Sequence, residues 1–277
     1  MAEPVAGDGE VLVDVRHVSL NYGDLNDAKS GRVPAGAVLG SDFAGVVVGG
    51  ILPAGARVVG LAAGAFAGKV VVGADSVAEV PAMVDLAQAA ALPVAGVAAL
   101  RALRAGGSLL GRRVLVTGAS GGVGRFAVRL AGLAGAHVIA SVGSAARGEG
   151  VVADEVVVGL DGVHTPVDLV LDNVGGSQLV AAWGLLAPGG SLQSIGWTSG
   201  EPAVFPPYST IGPAKSLTSF INAGPVGSDL ADLLRLVESG DLPVEIGWRG
   251  SLESFAEAAA ALRGRRVNGK AILDITG

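Results

Sequence analysis

Residues 114–125 read Val-Leu-Val-Thr-Gly-Ala-Ser-Gly-Gly-Val-Gly-Arg, and this stretch decides the fold. An apolar, β-branched run ends at Thr117. Glycines crowd in at 118, 121, 122 and 124, and an amphipathic run (Phe126, Val128, Leu130, Ala131) follows before Gly135. That order predicts strand, tight turn, helix. Glycines in such a turn permit positive φ and let a pyrophosphate approach the main chain. The free N–H groups and the positive end of the helix dipole then hold the anion.

The spacing fits three patterns. Gly118-x-x-Gly121-x-x-Gly124 is a dinucleotide fingerprint, with Ser120, Gly122 and Val123 as further candidate cofactor contacts. Thr117-Gly118-x-x-x-Gly122-x-Gly124 resembles the turn of short-chain dehydrogenases. Gly118-x-Ser120-x-Gly122 matches a nucleophile elbow. A P-loop is excluded, because Arg125 stands where Lys-Ser or Lys-Thr is required. The short-chain pattern lacks its Tyr-x-x-x-Lys pair: Asn26 lies four after Tyr22, and Gly212 four after Tyr208. A serine hydrolase built on Ser120 needs an acid and then a histidine downstream. Only His137, at the start of the next expected strand, and His164, in a polar loop, follow it.

Composition bounds the rest. A chain of 277 residues makes one or two domains with ample core. High Gly, Ala and Val in alternating segments suit an α/β protein. The net charge of −6 argues against nucleic-acid or membrane-surface binding. No apolar run is long enough for a membrane span. Residues 1–10 are acidic and polar, so no secretory leader is expected, and the cytoplasm is the expected location. The chain has no cysteine, which removes disulfides, thiolate nucleophiles and cysteine-ligated zinc together. His17, His137 and His164 show no ligand spacing, and no metal is expected.

A coarse walk divides the chain. Val11–Val18 alternates as a strand, Asn21–Gly31 has a short helical look, and 41–48, 56–61 and 68–72 read as strands. These short, turn-rich elements suggest a small barrel-like domain. Ala82–Leu92 reads as a helix ended by Pro93, and Val97–Ala105 as another. From Val114 a βα rhythm begins, with strands at 114–117, 137–142, 155–158, 167–172 and 191–195 and helices at 124–133 and 177–186. An amphipathic helix over 228–239, a strand at 244–248, a helix at 252–262 and a strand at 271–275 complete the chain. The fold class expected is α/β: a Rossmann doubly wound parallel sheet plus a β-rich domain. The end of the second Rossmann strand selects the cofactor. NAD binders place an acid there, but here Ser141, Ser144 and Arg147 precede the first acid, Glu149. Those residues suit a 2′-phosphate, so NADP(H) is expected.

Motifs in order then carry a resemblance. Ala-Leu-Pro-Val-Ala-Gly (91–96), the glycine turn at 118–124, Asp172-Asn173-Val174-Gly175-Gly176, Ala187-Pro188-Gly189-Gly190 and Gly269-Lys270-Ala-Ile-Leu succeed one another. Together they resemble a zinc-independent medium-chain dehydrogenase/reductase of the quinone oxidoreductase and enoyl reductase branch, over residues 10–276. The resemblance implies a discontinuous GroES-like catalytic domain (1–92 and 241–277) around a Rossmann NADP(H)-binding domain (93–240). It also implies a homodimer. The implied activity is hydride transfer from NADPH to an activated C=C bond, an enone or enoyl thioester. An NADPH:quinone reductase and a non-catalytic NADPH-binding sensor are the alternatives. Asn21-Tyr22-Gly23-Asp24 resembles the family's Asn-x-x-Asp element. Asn21 would orient substrate or nicotinamide, Asp24 would pin the loop, and the Tyr22 hydroxyl would protonate or polarise the substrate. Asn173 and Val174 would meet the ribose and nicotinamide, and Arg265 the cofactor phosphate. The chain departs from polyketide-synthase enoyl reductases at Trp197, where they carry a lysine, and at the apolar Val180-Ala181, where they carry an acid. Trp197, Phe205, Tyr208 and Phe220 gather aromatics in a chain otherwise poor in them, and are expected to form a lid over an apolar acceptor.

Overall fold

The structure is a computed structural model that describes residues 4–31, 33–34 and 36–275. It divides into two compact units. One takes the described residues through Val97 together with those from Ala223 onward; the other takes Ala98–Asn222.

The first unit is a seven-stranded sheet with short helices. Its opening strand is β1 (Glu10–Leu20), then come α1 (Tyr22–Ser30), β2 (Asp42–Gly50), β3 (Arg57–Leu61), β4 (Lys69–Gly73) and β5 (Val77–Glu79). The alternation in β1 does what period two requires: Val11, Val13 and Val15 are buried, while Leu12 and Asp14 lie on the other, less buried face. After α2 (Leu86–Ala90) the chain enters α3 (Pro93–Ala105). Pro93 therefore starts a helix and does not stop one. Its missing N–H is no loss in the first turn, and its φ already suits the helix. The preceding helix begins only at Leu86, because the Asp85 carboxylate caps it, accepting from the N–H of Ala87 at 2.7 Å and Gln88 at 3.3 Å.

The second unit holds β6 (Arg113–Thr117), α4 (Gly122–Leu133), β7 (His137–Val142), α5 (Ala145–Gly148), β8 (Glu155–Val158), β9 (Val167–Asp172), α6 (Gly176–Gly184), β10 (Leu186–Ser194) and β11 (Ser216–Ser219). Its six strands run in the order β11-β10-β9-β6-β7-β8, and every pairing is parallel. Strand order reverses between β6 and β9, so a switch point lies there. The helix α5 is a single turn. Two strands were not anticipated. β5 is three residues long, and β11 is exposed throughout with Leu217 alone among polar residues, so neither carries a hydrophobic period.

The chain returns to the first unit with α7 (Gly227–Glu238), β12 (Ile246–Ser251), α8 (Phe255–Arg263) and β13 (Lys270–Asp274). The sheet there runs β12-β13-β1-β2-β3-β5, with β4 also on β1. Sequence grouped 227–238 with the Rossmann segment. In the structure α7 packs on β5 and the short turn before it, and a Cβ on Gly227 would meet the Asp75 and Val77 carbonyls at 2.6 Å. Leu230, Leu233 and Leu234 form its buried stripe. Among the described residues no helix is long and apolar enough to cross a membrane.

Candidate functional site

Within the second unit the glycine turn forms as expected. Gly118 has φ +61°. The Gly121 N–H donates to the Gly118 carbonyl at 3.0 Å, closing the turn, and Ala119 N–H donates to Ser141 O at 3.0 Å. Helix α4 starts with Gly121 as its N-cap and no side chain capping it. Its first N–H groups are thus left for an anion. Gly124 sits against the turn itself, where a Cβ would lie 2.3 Å from the Gly118 carbonyl oxygen.

Beside the turn, at the C-terminal ends of β6 and β9, lies a polar network. Thr117 Oγ1 donates to Asp172 Oδ1 at 2.7 Å and accepts from Asn173 N–H at 3.0 Å. Asn173 Nδ2 donates to Thr117 O at 2.9 Å, and Gly175 N–H donates to Asp172 Oδ2 at 2.8 Å. Asp172 is fully buried, and burial pushes its carboxyl above the usual range. The Asn173 Oδ1 is buried and has no hydrogen-bond partner. A buried acceptor left open beside a glycine turn suits a ligand that brings a donor. Val174 continues the strand end, and its carbonyl accepts from Ser199 N–H at 2.9 Å.

Arg147 Nε donates to Ser120 Oγ at 2.9 Å, which sets the guanidinium beside the turn. Ser144 is exposed at the N-cap of α5. Ser141, by contrast, is buried, and its hydroxyl donates to Gly159 O at 2.7 Å, so it serves the fold. The serine-hydrolase alternative fails on topology. His137 pairs with Arg113 at the N-terminal edge of the sheet, whereas Ser120 lies beyond the other edge, past Thr117 and its partner Ser141. Four residues of strand, about 13 Å, separate the two edges. His137 instead meets Glu155 at 2.6 Å, and His164 is exposed.

The aromatic residues do not assemble into one pocket. Trp197 lies over Gly175, where a Cβ would come within 2.6 Å of the indole, and its Nε1 donates to Glu201 O at 2.6 Å. Phe205 turns inward, edge-on to Trp183 with centroids 6.0 Å apart. Tyr208 is exposed at positive φ, and Phe220 is half-buried next to β11.

Within the first unit Asn21, Tyr22 and Asp24 open α1. Asp24 Oδ2 accepts from Asn21 N–H at 2.8 Å, which closes the turn into α1. Asn21 itself is spoken for. Its Nδ2 donates to Asp42 Oδ2 at 2.9 Å and Ser19 O at 3.3 Å, and its Oδ1 accepts from Lys270 Nζ at 2.5 Å. Both amide protons are used internally, so the expected orienting role toward substrate gives way to a structural link. Asp42 was not singled out from sequence, and Lys270 entered only within the Gly269-Lys270-Ala-Ile-Leu motif with no role assigned; both are buried, 3.5 Å apart. Burial pushes Asp42 up and Lys270 down, and their mutual attraction opposes both shifts. Tyr22 is half-buried and Arg265 is exposed in the turn after α8, at positive φ.

Asp24 is lifted to about 6, by burial first and the neighbouring Asp42 second. A carboxyl raised on folding stabilises below its unfolded value, and that stability is lost as pH rises through about 6. Asp24→Asn is therefore expected to melt like the parent at pH 4 and higher than it above pH 7. The ceiling is about 3 kcal/mol, less whatever the weaker bond to Asn21 forfeits. Melting temperature against pH for both proteins checks this, and a difference independent of pH would rule out the ionisation as its cause.

Among the described residues no three His, Cys, Asp or Glu are grouped to hold a metal ion. A family model for the alcohol dehydrogenase GroES-like domain matches residues 7–82, and one described as zinc-binding dehydrogenase matches 149–273. Prostaglandin reductase-3 of Bos taurus is 31% identical over 316 residues, covering 98% of this chain and 83% of its own. The pikromycin polyketide synthase component PikAII of Streptomyces venezuelae is 32% identical over 98% of this chain. The chain spans only 8% of that synthase's length. Among solved structures, mycobacterial Rv1454c complexed with NADPH superposes with a TM-score of 0.88 at 26% identity, covering 99% of this chain and 94% of its own. The quinone oxidoreductase of Escherichia coli complexed with NADPH gives 0.84 at 23% identity, with 99% and 94% covered, a likeness of fold. The chain belongs to the medium-chain dehydrogenase/reductase family, in its zinc-independent branch.

Proposed function

We propose that this protein is an NADPH-dependent reductase of an activated C=C bond. The observation that carries the reading is the uncapped α4 N-terminus beside the open Asn173 acceptor, both at the switch point of a parallel sheet. The glycine turn and the first N–H groups of α4 would hold the pyrophosphate, and Asn173 Oδ1 would accept from a donor on the ribose–nicotinamide half. Arg147 and Ser144 would take the 2′-phosphate, since a guanidinium suits a phosphate dianion. When bound, the nicotinamide supplies hydride. Reduction of an enone also consumes a proton and builds charge on the carbonyl oxygen. The Tyr22 phenol, held at the start of α1, would donate a hydrogen bond to that oxygen or a proton to the α-carbon. The relatives favour an alkene acceptor: those above 30% identity include a prostaglandin reductase and polyketide synthases. A quinone acceptor is the second reading, favoured by structural neighbours named quinone oxidoreductases.

Titration with NADPH and with NADH, followed by nicotinamide fluorescence, tests the first half. Addition of a crotonyl thioester or a quinone tests the second. Tight NADPH and weak NADH binding, with oxidation on adding the thioester, is the expected result; no binding of either nucleotide sinks the proposal. Tyr22→Phe is expected to lower kcat for the enone at least tenfold and leave NADPH affinity within twofold. An unchanged kcat would remove Tyr22 from the reaction.

A further inference from the structure

We infer that Lys270 and Asp42 are positioning residues for Tyr22, acting through the side chain of Asn21. This rests on the reading that the Tyr22 hydroxyl meets the acceptor. Helix α1 offers Tyr22 little packing of its own. It is nine residues long, largely polar, and buries only Asp24 and Leu25. So short a helix is marginal unless something anchors it. The Tyr22 hydroxyl has no hydrogen bond among the described residues.

The anchor is at the residue before it. Strand β1 lies between β13 and β2, and its last residues run in register with both: Leu20 opposite Ala271, Ser19 opposite Asp42. Continuing that register one residue sets Asn21 level with Lys270. A cation thus arrives from one flanking strand and a carboxylate from the other, meeting over the end of β1. Lys270 Nζ donates to Asn21 Oδ1 at 2.5 Å, and Asp42 Oδ2 accepts from Asn21 Nδ2 at 2.9 Å. The other carboxylate oxygen, Asp42 Oδ1, accepts from the Val94 N–H at the start of α3 at 2.9 Å. An ammonium can only donate and a carboxylate only accept, so the Asn21 amide has one permitted orientation. With the Asn21 N–H bound to Asp24, main chain and side chain of this residue are both fixed. Tyr22 follows directly.

A buried ion pair usually adds little stability over apolar residues of the same size, and its best-attested use is to specify one geometry. Asp42 is fully buried and Lys270 is 4% exposed, so neither is free to meet an acceptor. What they can do is hold the residue beside the one that is.

The chain has two tyrosines, which makes the test direct. Incorporation of 3-fluorotyrosine into the full chain gives two ¹⁹F resonances. Tyr22→Phe assigns them, and Tyr208, 82% exposed, serves as the internal control. Lys270→Met is expected to shift or broaden the Tyr22 resonance toward that of an exposed tyrosine, with Tyr208 unmoved. It should also lower kcat for the enone at least tenfold with NADPH affinity within twofold. Asn21→Ala, which leaves the buried pair intact, is expected to do the same, and it carries the test if Lys270→Met does not fold. An unmoved Tyr22 resonance in the folded variants overturns the inference, as does a kcat that stays at the parent value in variants of an active parent. If the parent does not reduce the enone, the proposed function fails while the fluorine spectra still decide whether the clamp exists.

Discussion

Gly124→Ala is expected to cost at least a hundredfold in NADPH affinity, about 2.8 kcal/mol. On helix propensity alone the change should help, since alanine gains about 1 kcal/mol over glycine inside a helix. Geometry reverses the sign. The new Cβ would stand 2.3 Å from the Gly118 carbonyl oxygen and 2.6 Å from the Ala119 Cα. Both are backbone atoms of the turn, so no side chain can swing aside, and the strand–helix junction must open. The movement displaces the N–H groups that would face the pyrophosphate. Overpacking of this kind costs about 1–3 kcal/mol of stability as well. Gly132→Ala in the same helix is the control: its Cβ would meet nothing within 4 Å. It is expected to raise the melting temperature slightly and leave NADPH affinity alone. Fluorescence titration of both variants separates the two effects, and normal NADPH binding by Gly124→Ala would falsify the placement of the nucleotide on this turn.

Asp172→Ala is expected to destabilise the second unit by about 3 kcal/mol. Two opposing terms set that size. Burial makes an ionised carboxylate costly, and its removal relieves that cost. Against this, the carboxylate satisfies the Thr117 hydroxyl and the Gly175 N–H, both in a buried setting. Left unpaired, each donor costs about 1–3 kcal/mol, and together they outweigh the relief. For a unit of this size the loss corresponds to about 11 °C in melting temperature. Asp172→Asn keeps one acceptor oxygen and should fall between the parent and the alanine variant. Thermal melts of the three proteins give the order, and an alanine variant as stable as the parent would show that the network is not holding β6 to β9.

Much of this fold could be read from local pattern. The Val11, Val13, Val15 alternation, the apolar run into Thr117 and the Leu230, Leu233, Leu234 stripe each report a period of one element. The misreadings were of signals that local pattern leaves two-sided. Pro93 can end a helix or open one, and only the following Ala-Gly-Val-Ala-Ala run, together with the Asp85 cap upstream, decides between them. Ser216–Ser219 has no apolar face; it is a strand because β10 offers it an edge to pair with. The grouping of residues 227–238 with the Rossmann segment followed chain order, whereas their leucines are buried in the other unit.

The candidate site divides along the same line. The glycine turn, Ser144, Arg147 and the Asn173-Val174-Gly175 strand end each sit in a short local motif, so their place at the ends of β6, β7 and β9 was determined by the sequence, because β-strand, turn and helix propensities act over neighbouring residues. The clamp on Asn21 was left to tertiary structure. Asp42 lies 21 positions along the chain from Asn21, and Lys270 lies 249. Neither residue type nor spacing marks a lone aspartate or lysine as buried. Only the pairing of β1 with β2 on one side and β13 on the other brings them over the same amide. Once there, exclusion of water makes each depend on the other, because the attraction between them is what offsets the cost of burying each charge.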